Sequence, residues 1–249
     1  MFQNNYVHLH TETFITSLYN IMYIIVIANG AFPQSPQVLD LLGRADHLVC
    51  CDGAFEKYYS WCRQGVGSQR QVVVVGDGDS LQRGLVDEAR SAGMELSHIV
   101  VSEQESNDLS KAVRYAVEHL CADSGVRIDI LGATGLREDH AMGNISLLAY
   151  YATQFPAIDF RIISDYGTFQ PVIGRKKFAS HKGQQVSLFS FTPAVPVSVV
   201  GLRYPIHNRC LTWLWEGTLN ESLGNEFEVA GGTLVVYQEC LPHASQRLK

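Results

Sequence analysis

No apolar stretch here is long enough to cross a bilayer; residues 21–28 have the length of a buried strand. No lysine or arginine precedes Arg44, so the basic start of a secretory signal is missing and a cytoplasmic location is expected. There is no basic run, and the net charge is −6, which argues against nucleic acid or an anionic membrane as a main partner. The six cysteines form no C-x-x-C pair and no metal-ligand spacing, and most sit in apolar runs, so reduced thiols are expected. Three fingerprints are absent: G-x-G-x-x-G after the first strand, G-x-x-x-x-G-K-[ST], and G-x-S-x-G. Their absence argues against a dinucleotide dehydrogenase, an ordinary P-loop enzyme and a serine hydrolase.

What is present has two rhythms. From residue 22 to about 165, short β-branched runs at 24–27, 48–51, 72–75, 98–101, 128–131 and 160–163 alternate with helical spacing at 36–42, 55–64, 81–92, 108–120 and 140–153. Continuously apolar strands separated by helices predict an α/β fold, a parallel sheet with helices on both faces. After Asp165 no helical stripe remains. Runs at 185–191, 195–200, 210–215, 226–230 and 233–238, cut by Gly and Pro, predict a smaller all-β sandwich or barrel over 166–249. Residues 1–21 fit neither rhythm and read as an atypical extension; His8 and His10 there are weak metal candidates.

Three acidic or polar clusters each follow an apolar run: Gly76-Asp77-Gly78-Asp79-Ser80, Ser106-Asn107-Asp108-Leu109-Ser110-Lys111, and Gly132-Ala133-Thr134-Gly135-Leu136-Arg137-Glu138-Asp139-His140. Loops that follow parallel strands share one sheet edge, where ligands bind. That edge would gather Asp77, Asp79, Asp108 and Asp139. Two bare carboxylates about 4 Å apart repel by about 4 kcal/mol at an effective dielectric of about 20. Such a group calls for a divalent cation, and oxygen-only ligands beside Lys111 and Arg137 point to Mg2+ and a phosphorylated substrate. Ser106 suits a helix N-cap. Asp52-Gly53-Ala54 adds a fourth loop, and Asn29-Gly30 a weaker fifth.

These motifs, in this order and spacing, closely resemble those of the thiamine pyrophosphokinase family, from about residue 22 to 240. The tail matches in outline through Gly201-Leu202-Arg203-Tyr204-Pro205 and Gly224-Asn225-Glu226-Phe227. The resemblance implies Mg2+-dependent transfer of diphosphate from ATP to thiamine, with AMP released, in a homodimer. It implies Asp77, Asp79, Asp108 and Asp139 as metal and catalytic carboxylates, and Asn107, Lys111, Thr134 and Arg137 as nucleotide contacts. Asp52, Trp213, Trp215 and Asn225 are the candidate contacts to thiamine, the two tryptophans facing one side of a strand. Two departures stand out: Leu136 where the family commonly has glycine, and Gly224 where it usually has serine. Two other functions stay open, a metal-dependent phosphohydrolase and a non-catalytic thiamine or nucleotide sensor.

Overall fold

The structure, a computed structural model, describes residues 21–65, 71–79, 81, 83–121 and 125–240, residue 83 by its backbone only. Most of the atypical extension, with His8 and His10, lies outside the described residues. Among the described residues, five helices alternate with the first six strands: β1 (Met22–Ile27), α1 (Pro36–Leu42), β2 (His47–Cys51), α2 (Asp52–Arg63), β3 (Gln71–Gly76), α3 (Arg83–Ser91), β4 (Glu95–Val100), α4 (Asp108–His119), β5 (Val126–Leu131), α5 (Glu138–Gln154) and β6 (Ile158–Ile163). The six strands pair in parallel in the order β6-β5-β1-β2-β3-β4. Strand order therefore reverses between β1 and β5. α2 and α4 both pack on β2 and β3, and right-handed crossovers put them on opposite faces.

Local chemistry explains several boundaries. α1 starts where Ser35 Oγ accepts the Val38 N–H and Pro36 takes the first helical position. α4 is capped by Asn107, whose Oδ1 accepts the Ser110 N–H at 2.9 Å. The expected cap, Ser106, instead bonds to Glu103.

The remaining strands are β7 (Gly167–Ala179), β8 (Gln185–Ser190), β9 (Pro196–Val200), β10 (Ile206–Cys210), β11 (Gly217–Glu221) and β12 (Glu226–Glu239). They are antiparallel and continue the parallel sheet, because β7 pairs with β6. Two expected strands at 226–230 and 233–238 are one long strand, β12, with a register shift between Gly231 and Thr233. β12 is the wall between two cores. Val235 belongs to the α/β core, whereas its neighbours Leu234 and Val236 face the core of the C-terminal strands.

One expected strand is absent. Over 210–215, β10 ends at Cys210 and Leu214–Glu216 is a 3-10 turn. The cause is the Glu216 carboxylate, which accepts the N–H groups of Thr212 (2.6 Å) and Trp213 (2.8 Å) and folds the segment back. Trp213 and Trp215 are consequently 66% and 71% exposed and contribute nothing to either core. Deep in the α/β sheet, Asp129 is fully buried, held by the Arg161 fork at 2.7 and 2.6 Å and by the Tyr23 hydroxyl at 2.7 Å.

Candidate active site

At the switch point the loops after β1 and β5 lie backbone against backbone. Gly30 N–H donates to the Gly132 carbonyl at 2.6 Å. Gly132 has a φ of +65°, and a Cβ there would stand 2.5 Å from the Ala28 carbonyl oxygen. Only glycine allows this approach. Beside it opens a cavity of about 320 Å3 whose lining includes Asn29, Asn107, Asp108, Thr134, Arg137 and His140. Asn107 and Asp108 at the start of α4, and Thr134 and Arg137 in the loop before α5, thus reach one space.

The acidic group stands on the neighbouring loops. Carboxylate oxygens of Asp52, Asp77 and Asp79 all lie within 4.8 Å of one another. Asp52, the first residue of α2, is 1% exposed. Its Oδ2 accepts the Gly78 N–H at 2.6 Å, while Oδ1 has no hydrogen-bond partner. Burial pushes the Asp52 carboxyl above its ordinary range, against the pull of the Gly78 N–H and of His98. Asp77 goes the other way, to about 2, because Gln104 and the Asp79 N–H both donate to it. Beneath them Gly76 leaves room: a Cβ there would lie 2.3 Å from Asp52 Cγ.

Lys111 is buried, with Nζ 3.4 Å from Asp108 Oδ1 and 3.6 Å from Asp77 Oδ2. It ties the acidic group to the cavity. Arg137 makes a two-pronged contact with Asp139 at 3.1 and 2.6 Å, and this drives the Asp139 carboxyl down to about 2. Both side chains are exposed.

The structure therefore brings Asp77 and Asp79 together as expected residues of one cation-sized group, but its third member is Asp52. Asp108 faces Lys111, and Asp139 faces Arg137. Trp213, Trp215 and Asn225 belong to neither the group nor the cavity. Leu136 is exposed on the cavity rim.

Three contributors escaped sequence reading. Gln104 on Asp77 and His98, 3.7 Å from Asp52, carry no motif. Lys57 donates to the Asn29 and Gly30 carbonyls and to Asn29 Oδ1, clamping the β1–α1 loop from α2. Nothing in its spacing signals that.

An all-oxygen acidic group with a buried unpaired carboxylate oxygen, beside a cavity that holds Arg137, stands at the switch point where open α/β sheets bind ligands. Comparison with known proteins narrows this. A family model described as the thiamin pyrophosphokinase catalytic domain matches residues 38–159, and one described as its substrate-binding domain matches 167–237. Thiamine pyrophosphokinase 1 of Oryza sativa subsp. japonica is 25% identical over 215 residues, 77% of this chain and 76% of that protein. Its Arabidopsis thaliana namesake is 26% identical over 207 residues, 75% and 73% of the two chains. Among solved structures, the thiamin pyrophosphokinase from Candida albicans shares the fold with a TM-score of 0.76, at 17% identity over 89% of this chain and 90% of its own. The Bacillus subtilis structure gives 0.68, at 22% identity over 88% and 100%. The chain belongs to the thiamine pyrophosphokinase family.

Proposed function

We propose that this enzyme transfers diphosphate from ATP to the hydroxyl of thiamine, releasing AMP, with Mg2+ held by Asp52, Asp77 and Asp79. The observation that carries this is the three-carboxylate group lying one lysine away from the Arg137 cavity. The donor set fits a hard cation: it is all oxygen, and Asp52 Oδ1 is buried without a partner. When bound there, the ion supplies positive charge beside the diphosphate. The chain's own residues do the rest. Arg137 has a fork suited to phosphate oxygens, and Lys111 is a buried positive charge at the same edge. Asp139 and Asp108 hold these two cations in place until substrate arrives. The new bond joins the thiamine oxygen to the β-phosphorus, and the bond from that phosphorus to the α–β bridging oxygen breaks. A carboxylate of the group accepts the hydroxyl proton. Such chemistry rests on position and fixed charge and requires no covalent nucleophile.

Thiamine is assigned to the C-terminal part, 166–249, in a cytoplasmic homodimer. The exposed indoles of Trp213 and Trp215 support this, since an indole face attracts a cationic ring. Exposed Asn225 is a polar candidate on the same part. The test is incubation with ATP, Mg2+ and thiamine beside an Asp77→Ala control. AMP and thiamine diphosphate in equal amounts, lost in the control, support the reading. Phosphate release independent of thiamine would establish a hydrolase instead, and thiamine binding without turnover a sensor.

A further inference from the structure

Two buried polar atoms face each other without bonding. Asp52 Oδ1 and His98 Nε2 are both shielded from solvent, neither has a hydrogen-bond partner, and they lie 3.7 Å apart. Buried polar groups are usually paired, because an unpaired one keeps its full desolvation cost. The sheet explains their placement. His98 pairs in register with Val74 and, by the period of two, shares a face of β4 with buried Leu96. α3 packs on β4, and α2, which begins with Asp52, lies on the same side by crossover handedness. Gly78 already fastens Oδ2 of Asp52. The carboxylate's rotation is then decided by whatever meets Oδ1.

We propose that His98 is a positioning residue for the cation site: its Nε2–H donates to Asp52 Oδ1 and holds that carboxylate facing Asp77 and Asp79. This rests on the metal reading given above. Shortening the gap by roughly 0.8 Å gives an ordinary N–H···O bond. Direct ligation by His98 fits less well, since the three carboxylates form their group without it. An imidazole ligand would also favour later transition metals over Mg2+, whereas an outer partner leaves the ligand set all oxygen. Outer partners of metal ligands change affinity by about 10- to 100-fold when removed.

The test is Mn2+ binding, as a probe for Mg2+, to the full chain by isothermal titration calorimetry, without nucleotide or thiamine. His98→Leu is expected to weaken binding about tenfold. His98→Gln, which keeps an N–H donor of similar reach, is expected to restore it to within about threefold of the parent. His98→Asn, too short to reach, serves if the leucine variant does not fold, and is expected to match the tenfold loss. Electron spin-echo modulation of the Mn2+ complex should show no directly bound nitrogen. Unchanged affinity in the leucine or asparagine variant, failure of glutamine to rescue, or a bound nitrogen would each overturn the role of His98. Asp77→Asn separates the two layers of argument. If the parent binds no Mn2+, or binds it equally well in that variant, the metal reading falls and this inference with it.

Discussion

Substituting Gly76→Ala tests the packing beneath the acidic group, because two effects of opposite sign compete there. Gly76 ends β3 in extended backbone that alanine adopts freely. On that ground alone the substitution would stabilise the chain by about 0.4–1 kcal/mol, through a less flexible unfolded state. The new methyl, however, would sit 2.3 Å from Asp52 Cγ and 2.5 Å from both carboxylate oxygens. Asp52 is buried and cannot swing into solvent, so the clash must displace it from the Gly78 N–H. Losing a hydrogen bond to a charged acceptor costs about 1.5–3 kcal/mol, and overpacking adds about 1–3 kcal/mol. The expected net loss is about 2–5 kcal/mol. For a chain of this size that lowers the melting temperature by about 4–20 °C. Urea unfolding would measure the loss, and Mn2+ titration should show the cation affinity falling with it. Gly84→Ala, inside α3 with open space around its Cβ, is the control and should stabilise by up to about 1 kcal/mol. Gly76→Ala as stable as the parent, with unchanged Mn2+ affinity, would refute the placement of Asp52.

Asp129→Asn should cost about 3–5 kcal/mol in urea unfolding, because it leaves the Arg161 guanidinium without its buried charge partner. Replacing both residues by apolar ones should recover much of that loss. Carboxyl carbon NMR of the protein without metal should find Asp77 titrating near pH 2 and Asp52 above the ordinary carboxylate value of about 3.9. The sign follows from linkage: the Asp77 contribution to stability is complete above about pH 4 and disappears as pH falls through about 2. For Asp52 the dependence is reversed, and its stabilising effect declines as pH rises through its raised value. Lys111→Met should lower kcat by about a hundredfold or more, as expected for removing a preorganised charge from the reacting centre. Arg137→Lys should leave the melting temperature unchanged, since the Arg137–Asp139 pair is exposed, while lowering kcat/KM.

Periodicity made much of this molecule legible. The six apolar runs correspond to the six parallel strands because buried parallel strands tolerate little else. The loops carrying Asp77, Asp108 and Arg137 were legible for the same reason, since each follows a recognisable strand. Asp52 was harder to rank. As a lone Asp-Gly it reads as a turn, and its membership in the acidic group depends on the space left by Gly76, which is 24 residues away and brought near only by the pairing of β2 with β3. The loop of Asp139 reaches the right edge, which is why its sequence position suggests the group, yet a local fork from Arg137, two residues before it, takes up its carboxylate. β7 was hidden by Pro171 and Gly174, which interrupt its pattern although its long pairing with β12 absorbs both. The alternation of Trp213 and Trp215 mimicked a strand. Glu216, by accepting two backbone N–H groups, turns that segment instead.

The fate of the β-phosphorus distinguishes diphosphate transfer from hydrolysis and from transfer of the terminal phosphate. ATP labelled at the β-position would be incubated with the enzyme, Mg2+ and thiamine, and the products separated. Diphosphate transfer predicts label in thiamine diphosphate, unlabelled AMP in equal amount, and neither product with Asp77→Ala. Label in ADP, or in free phosphate or diphosphate formed without thiamine, would contradict it.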